Sequence, residues 1–477
     1  MSLASIAAIV PVLCVAAAGI AALLAEALRQ PGERMPIAGL GAIGLAGAGV
    51  SAVQLWSRNS SSMGVVADNF GLFVTLVLVV IGLLTMAFSS QTVGRDRLPT
   101  GEYYSLTLFS ISGMILMATA SDLLLVFLAL EVLSISVYVL TAIRRSEESS
   151  SEGGFKYFLL GSFSSAIFLY GIAFAYGMAG STKLDAIGSV LAAEAMDLSP
   201  LAFVAMVLLL VGFAFKVSAV PFHMWTPDAY EGAPAIVSGF MSTGVKAAAF
   251  AALVRVFLSA FEPMQAHWAP AVWAVSMLTM VAGTIIAVVQ TNLKRLLAYS
   301  SIAHAGYMLV GVVAANDTGK AAVLFYLLAY GVANLAVFAV LALLSRAGEP
   351  RDEVRHYAGL WQSHPAVAGL MTALLLSLGG IPLTAGFVAK WYVFNAAVEA
   401  NYYGLAIVGV LTTVVSIFFY LRIVVMMYMA QPGGEAAPRL SAFSMATLAL
   451  SVLLVFYLGM FPARVLALAS DSVGSIF

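Results

Sequence analysis

Charged residues are scarce in this sequence, and this scarcity defines its class. Of 477 residues, 9% are charged and 62% are hydrophobic, whereas a soluble domain carries roughly 25% charged residues. The deficit excludes a soluble fold, and the formal net charge of −1 leaves no basic surface for nucleic acid. What the sequence has instead is a series of long apolar runs, which predicts an all-α polytopic membrane protein.

Two kinds of chemistry lack the residues that they need. Cys14 is the only cysteine, and one thiol can neither hold an iron–sulfur cluster nor close an internal disulfide. The phosphate-binding pattern GxxxxGK[ST] is also missing, because Gly319-Lys320 is followed by Ala321. We therefore expect neither thiol redox chemistry nor ATP hydrolysis on this chain.

The apolar runs predict about fourteen spanning helices, since one helix needs about 20 apolar residues to cross the bilayer. The predicted spans are 3–28, 36–57, 69–90, 103–120, 122–143, 155–180, 201–226, 234–260, 268–290, 296–315, 321–346, 365–400, 403–430 and 440–462. We interpret the first as a helix rather than a cleaved leader, because no basic residue precedes it. Residues 183–199, with apolar positions at helical spacing, predict a short amphipathic helix at the membrane interface.

Basic residues in the predicted loops indicate the orientation, because cytoplasmic loops carry an excess of Lys and Arg. Loops after odd-numbered helices hold Arg29, Arg34, Arg95, Arg97, Arg144, Arg145, Lys294, Arg295, Arg346, Arg351, Arg355 and Arg439. Loops after even-numbered helices hold little beyond Arg58, Lys183 and Lys320. We therefore expect the odd loops on the cytoplasmic side and both termini on the periplasmic side.

Four lysines and one glutamate fall within or close to the predicted spans. They are Glu131, Lys156, Lys216, Lys246 and Lys390. An ionisable group at the centre of a spanning helix costs about 2.5–3.5 kcal/mol, so five unpaired groups would cost about 12–18 kcal/mol. Many domains have a net stability of only roughly 5–15 kcal/mol, so these side chains must face one another, water, or both.

Different explanations of these charges stay open. A lysine near a helix end can extend its ammonium group to the headgroups, which suits Lys156 and suits Lys216 and Lys246 poorly. A static Glu–Lys pair that only holds two helices together is a second explanation. A chain of groups that carry protons is the third.

Two predicted spans contain helix breakers close to a lysine. Pro221 follows Lys216 by five residues, and Pro382 precedes Lys390 by eight; proline removes a backbone N–H and clashes with the preceding turn. Unwound backbone at membrane depth is tolerated where it is buried in protein or lines a wet cavity. One lysine precedes its break and the other follows it, as an inverted repeat of a transporter predicts.

His304 is the histidine that lies well inside a predicted span. A mildly perturbed imidazole titrates near neutral pH, so His304 is a candidate for proton transfer, with a helix-capping hydrogen bond as the alternative. Tyr330 and Asn334, one turn apart on the next helix, could line the same path. Their alternative role is hydrogen bonding between helices.

Three segments resemble a known family. They are VSAVPFHMWTPDAYEGAP, NLKRLLAYSSIAHAGYMLVG and GGIPLTAGFVAKWYVF, and they are similar to the signatures of the antiporter-like membrane subunits of respiratory complex I. The resemblance covers nearly the whole chain, most specifically residues 120–400. Within the family, the AHAGY ending and Lys390 are most similar to the subunit N branch, the relatives of mitochondrial subunit 2.

The resemblance implies two inverted five-helix repeats, each with one broken helix. They would occupy residues 103–262 and 263–432, between a three-helix segment at 1–102 and a C-terminal helix at 433–477. It also implies roles in a proton relay. Glu131 would pair with Lys216, Lys246 would connect the two halves, His304 would follow, and Lys390 would lie towards the exit; Lys156 completes the candidate set.

The family also implies where the chain works. No cofactor or metal is expected on this chain, because flavin, iron–sulfur clusters and quinone belong to other subunits, in agreement with the single cysteine. Expected partners are other membrane subunits of complex I, including a neighbouring antiporter-like subunit and small multi-helix subunits, and membrane lipids. The expected location is the bacterial inner membrane.

The implied function is proton translocation driven by redox chemistry in other subunits of an NADH:quinone oxidoreductase. A carboxylate beside a buried lysine favours its charged form, so moving Glu131 away from Lys216 would release the proton towards Lys246. Two alternatives stay open. One is a subunit of a cation/proton antiporter or of a membrane-bound hydrogenase, and the other is a structural scaffold of the membrane arm.

Overall fold

The computed structural model describes residues 6–30, 36–193, 199–346, 351–432, 438 and 440–476. Its helices are α1 (Val10–Leu28), α2 (Ile37–Leu55), α3 (Asn69–Arg95), α4 (Thr100–Thr119), α5 (Leu123–Thr141), α6 (Glu148–Ala179), α7 (Leu184–Ala193), α8 (Pro200–Lys216), α9 (Trp225–Gly232), α10 (Ala235–Ala260), α11 (Gln265–Val289), α12 (Leu293–Ala314), α13 (Asp317–Leu344), α14 (Leu360–Ser363), α15 (Pro365–Gly379), α16 (Ala385–Glu399), α17 (Tyr403–Met429), α18 (Ala442–Met460) and α19 (Ala463–Val473). A small hairpin pairs β1 (Ser60–Ser62) with β2 (Val65–Ala67).

Short polar side chains determine where several helices begin. Asp68, Asp122, Asn292 and Asn316 each accept a hydrogen bond from a backbone N–H in the first turn of α3, α5, α12 and α13. Such caps satisfy donors that have no partner within the helix. At the other end of a helix, Gly380 terminates α15 in the left-handed conformation, with φ +83°, which glycine adopts without steric cost.

Eleven helical stretches within the described residues are long and apolar enough to cross a membrane. This confirms an all-helical membrane protein. The other three predicted spans differ in ways that have physical causes. The predicted span 103–120 corresponds to α4, whose first turns, Glu102 to Ser105, lower its hydropathy. The spans 201–226 and 365–400 are each divided into two helices.

Both divisions occur at the predicted prolines. In the span predicted at 201–226, α8 ends at Lys216 and α9 begins at Trp225. Helix α9 continues to Gly232, beyond the predicted end of the span. The second span is interrupted between Gly379 and Ala385. The two predicted helix breaks are thus confirmed, with Lys216 before one break and Lys390 after the other.

Some predicted boundaries are wrong. The span predicted at 155–180 begins at Glu148, so Lys156 lies about two turns inside α6. Lys294 and Arg295, assigned to a loop, lie in the first turn of α12. The amphipathic helix is confirmed as α7, with Leu184, Ile187 and Leu191 buried. The helix was predicted at 183–199, but Ser199 instead caps α8. Residues 194–198 and the predicted loop charges Arg34 and Arg439 lie outside the described residues.

The most deeply buried helices lie at the centre of the protein. Nearly every residue of α10, α12 and α13 is buried. The short helix α9 packs against α6 and α12, and α13 packs against α10 and α16. The helices that carry Lys216, Lys246, His304 and Lys390 are therefore all in contact with this central group.

Candidate functional site

Lys216 lies at the end of α8, immediately before the first helix break. The residue is 2% exposed, and its Nζ has no hydrogen-bonding partner within the described protein. The Nζ atom lies 5.5 Å from the ring centroids of both Tyr138 and Tyr157, and Trp225 of α9 stacks on Tyr157 at 4.1 Å. Aromatic faces attract an ammonium group, so Lys216 occupies an aromatic box.

Glu131 does not pair with Lys216 in the described structure. It is half-buried on α5, and its Oε1 accepts a hydrogen bond from Ser165 Oγ of α6 at 2.5 Å. Tyr138 lies two turns further along α5 and reaches the aromatic box. Instead of the predicted ion pair, the Glu131 carboxylate binds the Ser165 hydroxyl, and Lys216 lies among aromatic rings.

Lys246 follows a π-helical turn in the middle of α10. That turn, Met241–Val245, directly precedes it, and π turns inside α-helices occur frequently at functional sites. The residue is 1% exposed, and its Nζ donates to the carbonyl oxygen of Ser301 on α12 at 2.6 Å. An ammonium group has three N–H donors, so one acceptor within the described part of the chain leaves the charged form incompletely satisfied.

Asn334 of α13 connects the π turn to His304. Its Nδ2 donates to Ser242 Oγ at 2.7 Å and to Tyr330 Oη at 2.9 Å, and its Oδ1 is buried without a partner in the described protein. The Tyr330 ring lies 4.8 Å from the imidazole of His304. Tyr330 therefore packs against His304, whereas Asn334 bonds the π turn and Tyr330. That both residues line one path with His304 stays a prediction.

Both ring nitrogens of His304 contact tyrosine hydroxyls. Nδ1 lies 2.7 Å from Tyr326 Oη and Nε2 lies 3.2 Å from Tyr420 Oη, and Tyr420 in turn hydrogen-bonds Ser300 Oγ. A neutral imidazole donates from one nitrogen and accepts at the other, so the ring connects two hydroxyls. Because His304 lies in the middle of α12 and bonds side chains, it is not a helix cap.

Lys390 is buried beside the second helix break. The residue is 4% exposed, and its Nζ donates to the carbonyl oxygen of Gly379 at 3.2 Å. That carbonyl is free to accept because α15 ends there. The Nζ also lies 4.8 Å from the ring centroid of Tyr307, and Tyr307 Oη donates to Thr412 Oγ1 at 3.2 Å.

Lys156 differs from the other predicted site residues because it is not buried. Its side chain is 44% exposed and forms ion pairs with Glu152 at 2.7 Å and Asp228 at 2.9 Å. Asp228 also pairs with Arg295, which pairs with Glu231. Lys156 therefore belongs to a partly exposed ion-pair network and is not buried. Its part in a proton relay stays a prediction.

The buried ion pair of Arg255 and Asp68 was not predicted from the sequence. Arg255 of α10 donates to the two carboxylate oxygens of Asp68 at 2.6 and 2.8 Å and to the carbonyl oxygen of Ala118 at 3.0 Å. Both side chains are about 5% exposed. A signal was present, because Arg255 lies inside the predicted span 234–260, but its partner is 187 residues away.

These groups can bind and release protons. Lys216, Lys246 and Lys390 supply buried amines, His304 supplies an imidazole, and neighbouring tyrosines supply phenol hydroxyls. In the described part of the chain, no group of three His, Cys, Asp or Glu side chains could hold a metal ion. The arrangement contains groups for proton transfer, with no candidate metal centre among the described residues.

Comparisons with known proteins agree with this geometry. The family described as "NADH:quinone oxidoreductase/Mrp antiporter, TM" matches residues 120–416. The chain is 43% identical over 469 residues to NADH-quinone oxidoreductase subunit N of Trichlorobacter lovleyi, a match that covers 98% of this chain and 96% of that protein.

Solved structures show the same fold. A chain of respiratory complex I from Thermus thermophilus is 34% identical and superposes with a TM-score of 0.83, covering 96% of this chain and 99% of that one. A chain of the Mrp complex from Dietzia has a TM-score of 0.87 at 22% identity, covering 100% of this chain and 98% of that one. At that identity the second likeness concerns the fold alone.

Proposed function

Because the chain belongs to the subunit N family of NADH-quinone oxidoreductases, the antiporter-like membrane subunits of complex I, we propose that its buried amines carry protons between the two helix breaks. As a complex I subunit it takes part in proton translocation. The observation that carries the proposed path is the environment of Lys216, Lys246 and Lys390. All three are buried, and in the described structure none has a carboxylate partner.

An amine in such a site changes its charge readily. Burial disfavours the ammonium form, and only a nearby anion or sufficient acceptors restore it. Among the described residues, Lys216 has no protein acceptor, while Lys246 and Lys390 have one carbonyl oxygen each. Lysine suits this task because its proton affinity responds to burial, whereas arginine stays charged.

The proton would move in steps from Lys216 towards Lys390. Lys246 contacts the backbone of Ser301, one turn before His304 on the same helix. At His304 a proton can arrive at one ring nitrogen while another leaves from the other, since each nitrogen contacts a tyrosine hydroxyl. Water would join the groups that do not touch, because buried water normally satisfies otherwise unpartnered polar groups.

Glu131 would control the first step. Its carboxylate is held by Ser165 and lies on the same helix as Tyr138, which borders the Lys216 box. If Glu131 turned from Ser165 towards Lys216, it would favour the charged lysine. Its return to Ser165 would release the proton onwards.

The driving reaction would take place on other subunits. Flavin, iron–sulfur clusters and quinone would be bound there, since this chain has one cysteine and no candidate metal cluster among its described residues. The chain would contact a neighbouring antiporter-like subunit, small multi-helix subunits and lipids in a bacterial inner membrane. The arginine distribution supports periplasmic termini.

The proposed architecture is fourteen spanning helices with two inverted repeats, at 103–262 and 263–432. The eleven candidate spans, α4, and the two divided spans add up to that number. The opposite order of lysine and break supports the inversion, because Lys216 closes α8 and Lys390 follows the start of α16. Transporters often place ion sites at such broken helices.

The central test is Lys216→Ala, measured as NADH-driven acidification of inverted membrane vesicles. The exposed Lys183 provides a matched control, because Lys183→Ala removes the same group from the surface. We expect Lys216→Ala to lose acidification in a fully assembled complex and Lys183→Ala to retain it. Normal acidification with Lys216→Ala would overturn the proposed relay.

A second variant separates charge from proton release. Lys216→Arg keeps a cation in the box but cannot give up its proton, so we expect it to fail like Lys216→Ala. A scaffold would behave differently: charge removal would reduce the amount of assembled complex and leave the proton-to-electron ratio unchanged. A cation/proton antiporter would show sodium-dependent transport in the same vesicles.

A further inference from the structure

The short helix α9 has two faces with different partners. One face carries Trp225 and Tyr230, which are at most 2% exposed. The other carries Asp228, whose side chain is 33% exposed, and Glu231. One eight-residue helix therefore connects the surface ion-pair network with the aromatic surroundings of Lys216.

On the outer face, Asp228 connects two helices. Its Oδ2 accepts from Lys156 Nζ of α6 at 2.9 Å, and its Oδ1 accepts from Arg295 of α12 at 2.8 Å. Glu152 shares Lys156, and Glu231 shares Arg295. Removing the Asp228 carboxylate would therefore break the ionic link from α9 to α6 and one of the two links from α9 to Arg295, which keeps Glu231.

The end of α9 is held by a different contact. Lys294 of α12 donates to the carbonyl oxygens of Glu231 at 2.5 Å and Ala233 at 3.2 Å, and it pairs with Asp352 at 2.9 Å. Lys294 is 3% exposed. This anchor does not use the Asp228 carboxylate, so substitutions at Asp228 leave it in place.

On the inner face, α9 closes the box around Lys216. Trp225 stacks on Tyr157 with ring planes 3° apart and donates from Nε1 to the carbonyl oxygen of Phe215 at 3.1 Å. Lys156 and Tyr157 are consecutive on α6. The outer ion pair and the inner ring stack therefore connect the same two stretches of backbone.

The backbones of α6 and α9 are also in direct contact. A Cβ added to Gly232 would lie 2.3 Å from the carbonyl oxygen of Ser149, and one added to Gly153 would lie 2.9 Å from that of Asp228. Because α6 and α9 pack at this distance, a shift of α9 along α6 moves Trp225 relative to Tyr157. The ion pairs of Asp228 resist such a shift.

We propose that Asp228 is a positioning residue for proton transfer at Lys216, because its bridge between Lys156 and Arg295 holds the Trp225–Tyr157 stack over the lysine. The inference rests on the proposed role of Lys216 in proton transfer. It assigns Lys156 an indirect function, as one of the two cations that orient α9. Asp228 itself neither touches Lys216 nor carries the proton.

The test compares Asp228→Asn with Asp228→Glu in the assembled complex. We expect Asp228→Asn to lose NADH-driven acidification while NADH oxidation continues, and Asp228→Glu to restore it, because Glu keeps both ion pairs. Amide exchange of residues 225–232 should become about two- to fivefold faster in Asp228→Asn. Asp317→Asn, at a carboxylate 85% exposed on α13, is the control and should match the unmodified protein.

A double variant tests the bridge itself. Lys156→Gln should weaken acidification less than Asp228→Asn, because Asp228 still pairs with Arg295 in that variant. Adding Lys156→Gln to Asp228→Asn should have no further effect. The inference is overturned if Asp228→Asn pumps normally, or if Asp228→Glu fails to restore pumping. Lys216→Ala, measured in parallel, separates the two proposals: if it pumps normally, the relay itself is wrong, whatever Asp228 does.

Discussion

The buried pair of Arg255 and Asp68 offers a quantitative test of how this fold accommodates charge. The Arg255 guanidinium group donates to both carboxylate oxygens of Asp68 and to the carbonyl oxygen of Ala118, and it lies 5.2 Å from the ring centroid of Phe70. Removing one partner of a buried pair leaves the other charge uncompensated, which costs about 3–5 kcal/mol. We expect Asp68→Asn to lower the free energy of unfolding by about that amount.

A second substitution separates the charge from the helix cap. Asp68 Oδ1 also accepts from the backbone N–H of Gly71 at 2.7 Å, a cap that asparagine preserves and alanine removes. Loss of a cap costs about 0.5–2 kcal/mol, so Asp68→Ala should be less stable than Asp68→Asn by that amount. The measurement is denaturant unfolding of the detergent-purified chain.

The double variant Asp68→Asn with Arg255→Met tests whether the uncompensated charge of Arg255 causes the loss of stability. It removes both charges and leaves two neutral side chains, and such replacements are often neutral or stabilising relative to a broken pair. We expect it to be more stable than Asp68→Asn alone. If the double variant is the less stable of the two, or if Asp68→Asn unfolds like the unmodified protein, the reasoning about uncompensated charge is refuted.

Two glycine substitutions test the packing around the lysines. In Gly386→Ala the new Cβ would lie 1.8 Å from the carbonyl oxygen of Ser377, so α15 and α16 would have to separate. We expect this overpacking to destabilise the fold by about 1–3 kcal/mol or more. The measurement is the amount of assembled complex, which should fall. In Gly161→Ala the Cβ would lie 2.0 Å from Tyr138 Oη. That displaces a ring of the Lys216 box, so vesicle acidification should fall in assembled complex. Gly177→Ala, on the same helix as Gly161, meets nothing within 4 Å and should leave assembly and acidification normal; equal behaviour of all three variants would contradict both predictions.

Local features of the sequence were sufficient to locate the helix breaks and the buried lysines. Pro221 and Pro382 act on their own helices through a missing N–H and a steric clash, so their effects depend little on distant residues. A lysine in an apolar run is equally visible in the sequence. This is why the breaks at α8–α9 and α15–α16 were predicted close to where the structure has them.

The partners of these groups depend on tertiary packing and could not be predicted in the same way. His304 meets Tyr420, which is 116 residues away, and neither periodicity nor hydropathy relates the two. Arg255 and Asp68 were missed for the same reason. The Glu131–Lys216 pair was expected from a resemblance, but Ser165, one helix further on, holds the carboxylate instead.

The contrast between Arg255 and the lysines argues against a purely structural role for the buried charges. Where this chain buries a permanent cation, it supplies a bidentate carboxylate, a carbonyl oxygen and a ring. Within the described residues, Lys216, Lys246 and Lys390 form no ion pair with a carboxylate and have at most one carbonyl acceptor each. An ion pair that locks helices would need the first kind of environment, because an unpaired buried charge destabilises the fold. Amines that alternate between neutral and charged forms need an environment without a permanent counter-ion, since such a counter-ion would retain the proton.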